Sequence, residues 1–163
     1  IIANDLSLAE LYIKLNDLDS ARYYANIVEY KLLNSRNQFQ GNFPKLYNDL
    51  AGIYSILNDK FRAMRYYILS DSIETQFYIK NSDFLSEVEM NEYIESRLNS
   101  NNERLSFFSL NADLFKNISG IVIYNNILNS KSFMLDNKHA LNNYFSENGD
   151  TLNTNIYLKW KRK

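Results

Sequence analysis

Leu8-Ala9-Glu10-Leu11-Tyr12-Ile13-Lys14-Leu15-Asn16-Asp17 and Leu50-Ala51-Gly52-Ile53-Tyr54-Ser55-Ile56-Leu57-Asn58-Asp59 are two versions of one pattern, 42 residues apart. In each, apolar residues recur at steps of three and four: Leu8, Leu11, Tyr12 and Leu15 in the first, Leu50, Ile53, Tyr54 and Leu57 in the second. That is the spacing of one helix face. Asn16-Asp17 and Asn58-Asp59 then close the helix with residues that tolerate turn geometry. A second helix follows each time, with Ala21 and Tyr24 behind the first turn and Ala63 and Tyr67 behind the second. The small Ala lets two antiparallel helices approach closely, where a larger side chain would push them apart. Repetition at a fixed period predicts a stack of helical hairpins.

The first hairpin is predicted over 2–15 and 19–34 and the second over 44–57 and 60–80, with Gly41 and Pro44 marking the loop between them. The domain division expected is 1–80, two repeat hairpins, and 81–163, further helical hairpins that do not follow the repeat. Ser86-Glu87-Val88-Glu89 is a capping-box pattern opening a helical region over 86–99 and 102–117. Its apolar positions include Met90, Tyr93, Ile94, Leu105, Phe108, Phe115 and Ile118. Another hairpin fits 119–135 and 137–146, Asn148-Gly149-Asp150 ends it, and a short helix follows over 151–161. With 4 Gly and 1 Pro in 163 residues, turn residues are too few for an all-β fold. The fold class expected is all-α, an α-α superhelix.

At 45% hydrophobic and 23% charged, the chain has the means to bury a core. Its 18 basic and 19 acidic residues leave a formal charge of −1, which argues against nucleic-acid binding through clustered cations. Lys159, Lys161, Arg162 and Lys163 read as a solvated helix end. With no cysteine, disulfides, thiolate metal sites and a cysteine nucleophile are excluded within these residues. The composition suits a reducing cytoplasm, the compartment expected. Purely aliphatic stretches such as Ile121–Ile123 are far short of a membrane span, so no membrane association is expected. The chain opens inside a helical pattern without Met, and is expected to be a piece of a longer protein.

Few residues suggest chemistry, and no catalytic, cofactor or metal site is expected. His139 is the only histidine. Glu87, Glu89, Glu92 and Glu95 cluster, but no second ligand group faces them and a solvated helix face explains the spacing. There is no glycine-rich phosphate loop. The 13 Tyr and 10 Phe invite a base-stacking reading. Their placement favours packing instead: Tyr12, Tyr54, Tyr67 and Phe61 occupy repeat positions, and Tyr23-Tyr24 and Tyr66-Tyr67 read as a repeated structural pair.

The two copies resemble the tetratricopeptide repeat. Ala9, Tyr12, Asn16-Asp17 and Ala21 match its signature, as do Ala51, Tyr54, Asn58-Asp59 and Ala63. The turn has Asn where the family has Gly, the early Trp and closing Pro are lacking, and the period exceeds the usual length of about 34. The second half resembles the segment that precedes the caspase-like domain of bacterial tetratricopeptide–CHAT proteins. Gly120, Tyr124-Asn125, Lys131-Ser132, Leu135, Glu147-Asn148-Gly149-Asp150, Tyr157 and Trp160 carry that likeness. With no Cys, the peptidase dyad itself would lie beyond Lys163.

The resemblance implies a scaffold that binds a protein or peptide and does no chemistry, regulating a downstream CHAT domain. By helix phase and analogy its concave face offers Ala3, Leu6, Glu10, Ile13 and Lys14 from the first repeat, and Lys45, Asn48, Gly52, Ser55 and Ile56 from the second. Only Lys45 and Asn48 fit a carboxylate clamp, so a partly apolar groove is expected. Self-association through exposed repeat ends is a further expectation. The alternatives from the same pattern are a sensor region of a bacterial signalling or transcription regulator, and a secreted or lipid-anchored repeat domain.

Overall fold

The computed structural model describes residues 2–35, 43–81, 89 and 101–125. The described residues are helices and turns, with no strand among them. The chain divides into two units, Ile1–Gln76 and Phe77–Lys163. The helices are α1 (Ile2–Lys14), α2 (Leu18–Leu33), α3 (Phe43–Ile56) and α4 (Lys60–Asn81). Each end lies within one residue of the sequence expectation. His139, Glu87, Glu92, Glu95, the lysine-rich end and the positions from Lys131 to Trp160 that carry the second resemblance lie outside the described residues.

The repeat is written into the backbone. Asn16 and Asn58 adopt left-handed φ values of 59° and 60°. The turn bonds then match pair by pair. Asn16 N–H donates to the Ile13 carbonyl at 2.9 Å and Asp17 N–H to that of Tyr12 at 2.9 Å; Asn58 donates to Ser55 at 3.1 Å and Asp59 to Tyr54 at 2.9 Å. This paired closure satisfies carbonyls that a helix end leaves without partners. The following Asp starts the next helix. Asp17 Oδ1 accepts from Ser20 N–H at 3.1 Å, and Asp59 Oδ1 from Arg62 N–H at 3.2 Å. Asp17 also accepts from the Ser20 hydroxyl, and these bonds hold its carboxyl below the usual range. Two residues thus end one helix and cap another, which is why a hairpin needs so short a joint.

The alanines do what their size suggests. Ala9, Ala21, Ala51 and Ala63 are all fully buried. α1 packs on α2, and α3 touches both. Asp5 of α1 pairs with Lys31 of α2. α4 is tied to the start of α3 by the Ser70 hydroxyl, which donates to the Pro44 carbonyl at 2.8 Å. Pro44 stands in the first turn of α3, where a missing N–H costs nothing.

Three expectations are corrected. Tyr24 corresponds to Tyr66, not Tyr67, because the matched turns fix the offset at 42; Tyr23 is exposed whereas Tyr66 is buried. Phe61 is not a buried packing residue, being 64% exposed. The helix expected over 102–117 is broken by a turn at 111–115. There the Asn111 side chain donates to the Phe107 carbonyl at 2.8 Å, a local bond that competes with helix continuation.

The second unit is helical at 101–110 and 116–125. Phe107, Phe108 and Phe115 form a buried aromatic cluster with ring centroids 5.3–6.4 Å apart. Arg104, fully buried, donates to Asn101 Oδ1 at 2.7 Å.

Candidate functional site

The residues expected on a concave face separate by burial. Leu6 and Asn48, equivalent across the repeat, are both buried and therefore offer nothing to a partner. Ala3, Glu10 and Lys14 are exposed on α1, and Ile13 is half-buried. On α3, Lys45 and Ile56 are exposed and Gly52 and Ser55 half-buried. Lys45 Nζ pairs with Asp49 Oδ2 at 2.7 Å, one helical turn on. A partner's carboxylate would have to compete with Asp49 for that lysine. The accessible set is mixed: two lysines, one carboxylate, two isoleucines and small residues.

A second constellation, not anticipated from the sequence, joins the hairpins. Tyr47, Tyr66 and Tyr54 form a run of near-parallel rings, Tyr47–Tyr66 at 5.8 Å and 6° and Tyr54–Tyr66 at 5.9 Å and 16°. The hydroxyls of Tyr54 and Tyr66 both donate to the carboxylate of Glu29 on α2, the Tyr54 bond being 2.8 Å long. Arg62 completes the group. Its Nη1 donates to Asn26 Oδ1 at 2.8 Å, stands 3.4 Å from Glu29 Oε2, and its guanidinium lies 5.1 Å from the Tyr54 ring centre. Arg22 of α2 reaches across to donate to the Leu57 carbonyl at 2.9 Å.

This cluster is a polar seam between hairpins. All three phenols are raised above their ordinary range, chiefly by burial; for Tyr54 and Tyr66 the bonds to Glu29 add to it. They are therefore neutral donors at ordinary pH. The Tyr47 hydroxyl is buried and finds no partner among the described residues. Nor do three His, Asp or Glu side chains converge as metal ligands would among those residues. A carboxylate already engaged by two phenols and near an arginine is suited to fixing geometry.

Glu29 sits between Val28 and Tyr30, an acidic residue beside apolar neighbours. That was the available signal. Its tyrosine partners lie 25 and 37 positions away, out of reach of any local pattern.

No family model matches this chain, and comparison with curated proteins and with solved structures returns no match either. No described helix is long and apolar enough to cross a membrane.

Proposed function

We propose that this chain is a non-catalytic protein-interaction module of a larger protein, built as a tetratricopeptide-like superhelix. The observation that supports the reading is the repeated joint. The same Asn-Asp turn recurs at an offset of 42 with the same hydrogen bonds, and buried Ala pairs surround it. Repeats of this kind present one helix of each pair along a continuous surface, and that surface rather than a pocket does the binding. Here it comprises Glu10, Ile13 and Lys14 of α1 with Lys45, Ser55 and Ile56 of α3. The partner is a peptide or helix that places an apolar residue near Ile13 and Ile56 and a carboxylate near the lysines.

On the resemblance carried by Gly120 and Tyr124-Asn125, the domain this module serves is a CHAT-type peptidase. A reading frame that runs on past Lys163 without a His and a Cys on an α/β pattern removes the peptidase from the proposal.

The surface itself is tested by affinity capture with the wild type and with Ile13→Asp plus Lys45→Glu. Loss of a specific partner, with an unchanged helical circular dichroism spectrum, is the expected result. Retention of every partner by the folded double variant overturns the assignment.

A further inference from the structure

The repeat allows each position of the first hairpin to be compared with its counterpart 42 residues later. Most pairs agree: Ala9 and Ala51, and Ala21 and Ala63, are all buried. One face disagrees. Ile53 is 3% exposed, whereas its counterpart Leu11 is 49% exposed; Leu57 is 4% exposed and Leu15 is 65% exposed. Tyr54 and Tyr66 are fully buried, whereas Tyr12 and Tyr24 are only half-buried.

The pair of rings at the centre of the two faces is the same. Tyr12 stacks on Tyr24 at 5.4 Å and 10°, as Tyr54 stacks on Tyr66 at 5.9 Å and 16°. What differs is the covering. On the second hairpin the polar groups that the neighbouring hairpin brings to this face come from α2: Arg22 to the Leu57 carbonyl, and Asn26 and Glu29 to the tyrosine hydroxyls, while Arg62 of α4 reaches the Tyr54 hydroxyl from within the hairpin. On the first hairpin the face repeats the centre of this arrangement, two leucines and a pair of stacked phenols beside a turn carbonyl, with Asp5 and Ser20 where the second hairpin has Tyr47 and Arg62.

We propose that the face formed by Leu11, Tyr12, Leu15 and Tyr24 is a docking surface for a helical hairpin of this same type, one whose second helix presents an arginine, an amide and a carboxylate at the spacing of Arg22, Asn26 and Glu29. The interface between the two hairpins is the template. Its carboxylate accepts hydrogen bonds from both phenols and its arginine donates to the turn carbonyl, beside the buried Ile53 and Leu57. This surface is separate from the partner-binding surface proposed above and does not depend on it.

The test adds a second copy of residues 1–42 ahead of the full chain, so that the added α2 meets the resident Leu11 and Leu15. The melting temperature is expected to rise by about 5 °C or more in a single transition. Glu29→Ala in the added copy alone should remove much of that rise. Leu15→Glu in the resident copy should remove it too, while shifting the unextended chain by only about a degree, since Leu15 is exposed there. No rise, or a separate transition for the added copy, overturns the proposal. So does an unextended chain that sediments as a dimer and becomes monomeric with Leu15→Glu, because the face would then belong to a second copy. Should the extended chain fail to fold, the intact chain is titrated with a synthetic peptide of residues 17–35 and followed by NMR. Shifts confined to Leu11, Tyr12, Leu15 and Tyr24 support the proposal, and none at about 1 mM peptide overturns it.

Discussion

Asn58 holds a conformation that most residues avoid, and the second hairpin depends on it. At φ 60° an L-residue brings its Cβ against the following carbonyl, at a cost of roughly 1–2 kcal/mol that Asn partly escapes and Gly escapes altogether. Asn58→Ala should therefore destabilise the chain by about 1 kcal/mol, and Asn58→Gly should leave it unchanged or slightly more stable. Urea midpoints of the two variants decide the matter; equal effects would mean the turn relaxes out of the left-handed region. The sequence showed this residue well, because Asn before Asp at the end of an apolar helix face has few other uses. What it could not show was the division of labour, with Asn closing one helix and the Asp carboxylate capping the next.

At the scale of the element, helix ends were legible and helix surroundings were not. Periodicity says that Leu8, Leu11, Tyr12 and Leu15 share a face; it does not say what lies against that face. The same pattern is buried on α3, where α2 of the first hairpin packs, and largely open on α1. Aromatic burial is hidden for a related reason: Phe61 sits at an apolar position of the sequence yet is largely exposed. The alanines were the safer guide, since a small residue in a helix face implies a close neighbour. Ala51 is fully buried in α3. Ala51→Leu should overpack that contact and cost about 1–3 kcal/mol, whereas Ala3→Leu, on an exposed position of α1, should change little. Thermal denaturation of both variants provides the comparison. A small effect at Ala51 would mean that the two helices separate readily and that the close approach does not hold the hairpin.

For the molecule, what joins one hairpin to the next matters more than either hairpin, and that joint is the part of the candidate site the sequence concealed. Glu29, Tyr54, Tyr66 and Arg62 come from three helices, and their meeting depends on packing that no local spacing encodes. The seam makes the first unit sensitive to alkali. Burial, reinforced by the bonds to Glu29, holds the Tyr54 and Tyr66 protons to higher pH in the folded chain than in the unfolded chain, where phenols ionise near about 10. The unfolded state therefore loses these protons first. Stability from this source is complete below pH ~10 and declines as pH rises above it. Denaturant midpoints measured at intervals from pH 8 to about 11.5 should be level at first and then fall. Replacing Tyr54 and Tyr66 together by Phe should lower the plateau, because Glu29 loses two donors, yet make the alkaline decline shallower, because two shifted phenols no longer titrate. Parallel declines in the wild type and the double variant would show that the hairpins are joined by apolar contact alone, with the carboxylate a bystander.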